Sequence, residues 1–227
     1  MPSVPSEKRA VAFFDGQNLF HAARAAFGYQ HPNYDIKALA QTVCRQRGWR
    51  LTGHRFYTGI PNPTDDLFRH RFWAAKLLAM SRNGTRVFNR GLRYRNKAVV
   101  LPERPEFGAM AGCRYQFMAG EEKGIDVRIS VDIIRMAHRR EYDVALVFSQ
   151  DQDLSEVADE IRVIAREQNR WIAIASAFPS SPAVRNKRGI DKTDWIKIDR
   201  RTYDSCLHAH DYRGPRGPSG TFSGGNP

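Results

Sequence analysis

The sequence predicts an α/β fold in which a mostly parallel sheet carries helices on both faces. Two observations lead to this prediction. Short apolar runs typical of buried strands, such as residues 143–148, recur along the chain. Longer segments with helical spacing of apolar residues lie between them. Since parallel strands are usually connected through helices, this alternation favours a parallel sheet over an antiparallel one.

Length and composition indicate one folded domain. The chain has 227 residues, of which 41% are hydrophobic and 26% charged. We divide it into a lead-in (1–9), one domain (10–211) and a disordered Gly-, Pro- and Ser-rich tail (212–227). No apolar run could span a bilayer and no signal peptide is evident, so we expect a cytoplasmic protein without a membrane partner. Its three scattered cysteines show no zinc or disulfide pattern, which suits a reducing compartment.

The first part of the chain contains two strands and three helices. In order, the predictions are a strand over 10–15, helices over 19–27 and 35–47, a strand over 49–58 and a helix over 64–80. Gly28 ends the first helix, and Asp35 caps the second. We expect the third helix to bury one apolar face, which consists of Leu67, Phe68, Phe72, Ala75, Leu78 and Ala79.

The second part continues the alternation. The predicted elements are one or two strands or a hairpin over 85–101, a loop over 102–112, a helix over 127–138, a strand over 143–148, a helix to about 169, a strand over 171–175, a loop over 178–186, a strand over 195–198 and a helix over 202–209. Residues 127–138 alternate between apolar and polar, as a strand would. We assign a helix because Asp126 is a good cap and because a crossover is needed here.

Two carboxylates follow the apolar run 143–148 directly. Asp151 and Asp153 therefore lie at the carboxyl end of a central strand, where parallel sheets bind ligands. Two acids so close repel each other unless one is protonated or a cation lies between them. Capping of the next helix is the simpler interpretation, but one acid would suffice for it. We therefore favour a metal site.

Further acids are expected at the same edge of the sheet. The strand that ends at Asp15 should finish beside Asp151, and Asp126 or Asp132 joins them if the preceding helix packs there. Carboxylates without histidine or cysteine point to a hard cation, Mg²⁺ or Mn²⁺. The sequence contains no phosphate-binding glycine loop and no serine-hydrolase elbow.

The charge balance indicates a polyanionic partner. The net charge is +12, and basic residues concentrate in two blocks, 82–104 and 185–201, on either side of the acids. Phosphate backbones bind to such surfaces. The predicted phosphate contacts are Arg93, Arg95, Lys97, Lys123 and Lys192. Tyr94 is the best candidate for stacking on a base.

Three motifs resemble the NYN family of PIN-like nucleases, and in particular its LabA-like branch. They are Phe13-Phe14-Asp15-Gly16-Gln17-Asn18, Lys123-Gly124-Ile125-Asp126 with Val131-Asp132, and Ser149-Gln150-Asp151-Gln152-Asp153-Leu154. Together they span about residues 11–198 in the family's order. The resemblance implies a PIN-like three-layer α/β/α sandwich with a metal-dependent RNase site.

The resemblance also assigns roles to individual residues. It implies catalytic or metal-binding roles for Asp15, Asp126, Asp151 and Asp153, and it adds Asp132 as a ligand or a residue behind one. Asn18 either orients a ligand or water, or caps its helix. Two residues depart from the family pattern, Gln150 in place of glycine and Leu154 in place of phenylalanine, and neither change removes a ligand. Asp191 or Asp194 is either an outer ligand or a structural cap.

The leading hypothesis is a metal-dependent endoribonuclease that uses Mg²⁺ or Mn²⁺ and binds single-stranded or structured RNA. One alternative is a basic RNA-binding or regulatory module whose acid site is inactive or structural. Another is a 5′-nuclease that acts on structured DNA. The sequence leaves the oligomeric state open, with a homo-oligomer among the options.

Overall fold

The structure is a computed structural model that describes residues 2–100 and 113–213. The loop predicted over 102–112 and all but the first two residues of the predicted tail lie outside the described residues. The elements are, in order, β1 (Lys8–Asp15), α1 (Gly16–Phe27), α2 (Ile36–Gln46), β2 (Trp49–Ile60), α3 (Leu67–Arg82), β3 (Arg86–Gly91), β4 (Arg93–Val100), β5 (Arg114–Glu121), α4 (Ile125–His138), β6 (Val144–Phe148), a 3₁₀ turn (Gln152–Leu154), α5 (Ser155–Glu167), β7 (Ala173–Pro179), β8 (Asp194–Ile198) and α6 (Arg200–Asp204).

A six-stranded sheet in the order β3-β2-β1-β6-β7-β8 forms the middle layer, and all its neighbouring strands are parallel. Successive side chains of β1 enter opposite cores, because a strand's side chains alternate between its faces. Phe14 packs with α1, α2, α3 and α6, whereas Phe13 packs with α4 and α5. The predicted α/β sandwich with a mostly parallel sheet is confirmed.

The strand order reverses direction between β1 and β6. From β1 the chain first adds β2 and β3 on one side, and it later returns to place β6, β7 and β8 on the other side. In open parallel sheets, such a reversal leaves a crevice at the carboxyl ends of the two central strands. Asp15 is the last residue of β1, and Ser149 directly follows β6. The fold therefore brings these two strand ends together.

A second, two-stranded sheet stands apart from the main one. Here β4 pairs antiparallel with β5, in a register that runs from Arg93 opposite Glu121 to Val100 opposite Arg114. Of the options left open for residues 85–101, the structure has two strands that belong to different sheets. We call the β4–β5 pair the ribbon.

Helix α3 begins later than predicted. Asp66, and not Thr64, precedes its first turn, and the Asp66 side chain accepts a hydrogen bond from the backbone N–H of Arg69 at 2.8 Å. Other differences in length are small. The last helix ends at Asp204 rather than at residue 209, and the strand predicted over 171–175 is shifted to Ala173–Pro179. The ambiguous segment around 127–138 is a helix, as predicted.

The predicted buried face of α3 is wrong except at Phe72. Leu67, Phe68 and Leu78 are about half exposed, and besides Phe72 the helix buries Lys76, Leu77 and Met80. A lysine is tolerated inside because its Nζ donates hydrogen bonds to the backbone carbonyls of Pro32 at 2.9 Å and Tyr34 at 3.1 Å. Among the described residues, no helix is long and apolar enough to cross a bilayer.

Candidate active site

Asp15 is a buried carboxylate held from two sides. Its Oδ1 accepts a hydrogen bond from the backbone N–H of Asn18 at 3.0 Å, which caps α1. Its Oδ2 accepts one from the hydroxyl of Ser149 at 3.2 Å. Burial, together with the negative charges of Asp151 and Asp126, raises the pKa of Asp15 to about 6 against the effect of these hydrogen bonds. Asp15 is thus fixed in place and held near other acids.

The start of α1 requires a glycine after Asp15. A Cβ on Gly16 would lie 2.6 Å from the ring of Phe56 and 3.0 Å from the backbone oxygen of Tyr57, both on the neighbouring strand β2. No side chain fits there unless β2 moves. Gly16 therefore lets the first turn of α1 lie directly against the sheet, which sets the position of Asp15.

Asn18 joins the ends of β1 and β6. Its Oδ1 accepts a hydrogen bond from the backbone N–H of Gln150 at 2.9 Å. The side-chain cap of α1 is Asp15, so the capping interpretation of Asn18 is wrong. The structure instead shows Asn18 positioning the turn that carries Ser149 and Asp151.

Asp151 follows β6 and is partly buried. Its N–H donates to Ser149 Oγ at 3.1 Å, and its Oδ1 accepts from the N–H of Asp153 at 3.1 Å, so it caps the 3₁₀ turn. Asp151 therefore serves as a cap, which is the simpler interpretation of the two acids. The same carboxylate contributes to the negative field at Asp15. Asp153 lies in the turn and is exposed.

Helix α4 brings Asp126 to this group. Gly124 precedes the helix with a φ of 72°, a left-handed conformation that glycine adopts without strain. Asp126 lies in the first turn of α4, where its charge raises the pKa values of both Asp15 and Glu122. Asp126 and Asp151 are therefore both close enough to Asp15 for their charges to act on it.

Glu122 belongs to the same group, although the sequence analysis did not select it. Its carboxylate accepts hydrogen bonds from the backbone N–H of Gly59 and from Thr58 Oγ1. Burial, with the charges of Asp15 and Asp126, raises its pKa to about 7. A signal was present in the sequence, since Glu122 lies directly before the Lys-Gly-x-Asp motif. We call Asp15, Glu122, Asp126 and Asp151 the acid cluster.

Asp132 does not join the acid cluster, which corrects the expected catalytic or ligand role. It is buried among the guanidinium groups of Arg55 at 3.3 Å, Arg128 at 3.1 Å and Arg135 at 3.2 Å, and it accepts from Tyr57 Oη at 2.9 Å. Six residues of α-helix separate it from Asp126, a rotation of about 240° and a rise of ~9 Å. It therefore faces a different part of the core, where basic groups compensate its charge.

The loop over residues 186–192 is fixed to the turn after β6. The side-chain amide of Gln150 donates to the carbonyl of Arg188 at 2.6 Å. Gln152 donates to the carbonyl of Gly189 at 2.9 Å and accepts from the N–H of Asp191 at 3.1 Å. Gln150, a departure from the family's glycine, thus adds a contact that holds this basic loop beside the acid cluster.

Three residues of this loop are engaged in ion pairs. Asp191 binds the guanidinium of Arg188 at 2.9 and 3.1 Å, which favours a structural role over that of an outer ligand. Lys192, a predicted phosphate contact, instead pairs with Asp159 and Glu156 on α5. Asp194 is exposed at the start of β8.

The other predicted phosphate contacts lie on or beside the ribbon. Arg93, Arg95 and Lys97 are exposed on β4, and partly buried Lys123 follows Glu122. Tyr94 is not on their face of the ribbon, because neighbouring residues of a strand point to opposite faces. It lies instead near Asn62 and Asp65.

The electrostatics of the acid cluster favour a bound cation. The charges that raise the pKa values of Asp15 and Glu122 are all negative, so a bound cation would relieve their repulsion. Within residues 2–100 and 113–213, no three Asp, Glu, His or Cys side chains alone form a metal-binding group. Mg²⁺ suits this arrangement, because it keeps several waters and usually binds one or two carboxylates together with substrate phosphates.

Comparison with known proteins supports this description. The sequence profile of the NYN domain matches residues 9–187. The chain belongs to the NYN domain family. NYN domains have a PIN-like, nuclease-like fold, which agrees with the parallel sheet and its helices on both faces. Membership of the LabA-like branch stays a prediction. No curated protein matches the chain.

Among solved structures, the chain is similar to a protein of unknown function, VPA0982, from Vibrio parahaemolyticus RIMD 2210633. The two share 16% identity over 87% of this chain and 97% of the other, with a TM-score of 0.50, a likeness that shows the fold alone. A weaker match, to Acinetobacter baumannii MurG, has 8% identity and a TM-score of 0.31 over 84% of this chain and 45% of the other.

Proposed function

We propose that this NYN domain is a metal-dependent endoribonuclease that hydrolyses RNA phosphodiester bonds. The observation that carries the proposal is the acid cluster at the reversal of strand order, where burial and neighbouring negative charges together raise the pKa values of Asp15 and Glu122. A purely structural acid in this chain is surrounded differently, since Asp132 has three arginine partners. Among the described residues, no ion pair compensates the acid cluster in this way, and the cluster is therefore suited to a cation.

Asp15, Asp126 and Asp151 would hold Mg²⁺ or Mn²⁺, directly or through water, and Asp153 is exposed next to them for the same role. Such an ion, when bound, activates water and neutralises charge on the leaving oxygen. The protein's own part is preorganisation. Ser149 and the N–H of Asn18 hold the Asp15 carboxylate from both oxygens, so it needs little rearrangement during the reaction.

The basic surface supports a nucleic-acid substrate. The net charge of +12 opposes the local negative charge of the acid cluster, and the exposed Arg93, Arg95 and Lys97 lie on the strand pair that leads into Glu122. Phosphates can bind to the basic groups while one phosphodiester approaches a cation held by the acids. Metal dependence and RNA as the substrate are both parts of this proposal.

Single-turnover cleavage tests the proposed function. Asp15→Asn keeps the size of the side chain but removes a charge and a strong ligand. Since a metal ion supplies several kcal/mol of transition-state stabilisation, cleavage of RNA in Mn²⁺ should fall by orders of magnitude. The matched control is Glu167→Gln, which removes one negative charge from the exposed end of α5 and should cleave like the wild type.

Equal cleavage by the wild type and Asp15→Asn at saturating RNA would overturn the proposal in favour of an RNA-binding module. A structured DNA flap, assayed in parallel, addresses the other alternative. Metal-dependent cleavage of the flap without cleavage of RNA would identify a 5′-nuclease instead.

A further inference from the structure

We propose that the ribbon is a binding arm for single-stranded RNA that is anchored beside the acid cluster and guides the strand to it. This inference rests on the proposed function, because it names the form of RNA that the site receives. It goes further in assigning a separate structural element to the part of the substrate that flanks the cleaved bond.

One face of the ribbon is basic. Its two strands contain four basic residues and one acidic residue. Arg93, Arg95 and Lys97 occupy alternate positions of β4 and therefore share a face, and all three are exposed. Within the described residues, no strand of the main sheet pairs with the ribbon. Its shape and charge favour a role in binding a polyanion.

The opposite face of the ribbon attaches it to the main sheet. Tyr94 and Gly120 are paired on that face, and the side chain of Leu92 lies so close to Gly120 that a Cβ there would be 3.0 Å from it. The N–H of Leu92 donates to the carbonyl of Ile60, the last residue of β2, at 2.9 Å. The base of the ribbon is thereby fixed to the carboxyl end of β2.

The same attachment reaches the acid cluster. Glu122 directly follows β5 and accepts a hydrogen bond from the N–H of Gly59 on β2. A Cβ on Gly59 would overlap both Glu122 and Leu92, so these two side chains close over the glycine. A strand of RNA that binds along the ribbon is therefore led to the acids by a short, packed connection.

The basic groups of the ribbon are available for exchange with phosphate. Glu121 pairs with Lys97 at 2.8 Å and lies 4.0 Å from Arg95, and all three side chains are at least a quarter exposed. Exposed ion pairs of this kind are weak, because water screens them. A phosphate can therefore replace Glu121 at little cost in free energy.

The length and shape of the ribbon favour a single strand over a duplex. The deep, narrow major groove of A-form RNA does not admit side chains, so a duplex could meet the ribbon only from outside. Eight residues of β4 extend ~26 Å, which is long enough for several nucleotides of flanking RNA.

The experiment measures how RNA affinity depends on RNA length. A metal chelator is present, so that binding is measured without cleavage. Fluorescence anisotropy would give the affinity of the full-length wild type for unstructured oligoribonucleotides of increasing length, and for a duplex and a DNA strand of the greatest length. The triple variant Arg93→Gln, Arg95→Gln, Lys97→Gln removes the basic face. The matched control is Arg45→Gln, Arg47→Gln, Arg50→Gln, three exposed arginines near the amino end of β2, at the opposite edge of the sheet.

We expect wild-type affinity to rise with length until the ribbon is spanned, and the ribbon variant to match the wild type only on the shortest RNA. For the ribbon variant, the slope of log affinity against log salt concentration should be shallower by about 0.7 for each lost phosphate contact. The control should keep the wild-type dependence on length. An equal loss in the control, parallel length curves, tighter binding of the duplex, or tighter binding of DNA would overturn the proposal. Failure of the nuclease proposal is distinguishable, since it would remove Mn²⁺-dependent cleavage and leave these binding curves unchanged.

Discussion

Two aspartates of helix α4 show how neighbouring groups decide the role of a carboxylate. Asp132 is compensated by Arg55, Arg128 and Arg135 within 3.3 Å, whereas the charge of Asp126 adds to that of other acids. A compensated buried acid stabilises the fold only while its partners are present. An uncompensated one is stabilised when a cation binds. This difference assigns Asp126 to the site and Asp132 to the core.

Glu122 provides a test of how a single negative charge contributes to the acid cluster. Glu122→Gln keeps an oxygen that can accept from Gly59 and Thr58, but it removes a negative charge from the acid cluster. We expect the fold to be retained and Mn²⁺-dependent cleavage to fall roughly 10- to 100-fold, as is common when a residue behind the metal ligands is changed. The measurement is single-turnover cleavage across Mn²⁺ concentrations.

The adjacent Glu121→Gln is the control for Glu122→Gln. It removes the same charge one residue away, on the ribbon, and it should cleave like the wild type at saturating RNA. If the two variants behave alike, Glu122 has no special role in the acid cluster.

The site could be predicted from the sequence wherever its residues follow strands. Asp15 and Asp151 end neighbouring parallel strands, so the topology alone brings them together. The surroundings of Asp132 and Glu122 could not be predicted in this way. Arg55 reaches Asp132 from β2, 77 residues earlier, and Glu122 is buried only because the ribbon folds onto Gly59.

Helix α3 shows how one residue can misdirect the assignment of a helical face. The predicted apolar face omits Lys76, because a face assigned from apolar side chains excludes a lysine. In the structure its Nζ has two carbonyl acceptors and lies over the rings of Tyr34 and Tyr212. Burial lowers the pKa of Lys76 to about 8. The helix thus contains a cation that is costly to keep charged.

This burial predicts a dependence of stability on pH. The pKa of Lys76 is lower in the folded protein than in the unfolded chain, so between about pH 8 and 10.5 the unfolded chain binds more protons. The free energy of unfolding should therefore rise with pH in this range relative to Lys76→Met, by up to about 3 kcal/mol.

Urea denaturation of the wild type and Lys76→Met from pH 7 to 10.5 measures the difference in their free energies of unfolding. The contributions of other titrating groups cancel in this difference. Lys37→Met, at an exposed position of α2, is the control for loss of a lysine. A constant difference between wild type and Lys76→Met across this range would contradict the account of a lysine buried in its charged form.

At the scale of the whole molecule, the fold could be predicted because its strands and helices alternate so regularly. Each central strand, such as Val144–Phe148, is a fully buried apolar run, and the helices between them bury the faces expected from their periodicity, with the exception of α3. The ribbon was not predicted, because its pairing joins segments separated in sequence. Its position determines which part of the basic surface lies beside the acid cluster.

The central claim is that the acid cluster requires a cation, and direct measurement of Mn²⁺ binding tests it most closely. Electron paramagnetic resonance of free Mn²⁺, with thermal unfolding in parallel, would compare the wild type with Asp151→Asn. We predict saturable Mn²⁺ binding and a raised melting temperature for the wild type, because a ligand that binds only the folded state stabilises it. Most of both effects should be lost in Asp151→Asn, while RNA affinity in chelator stays at the wild-type level or rises. Equal Mn²⁺ binding and an equal rise in melting temperature in the two proteins would contradict the account.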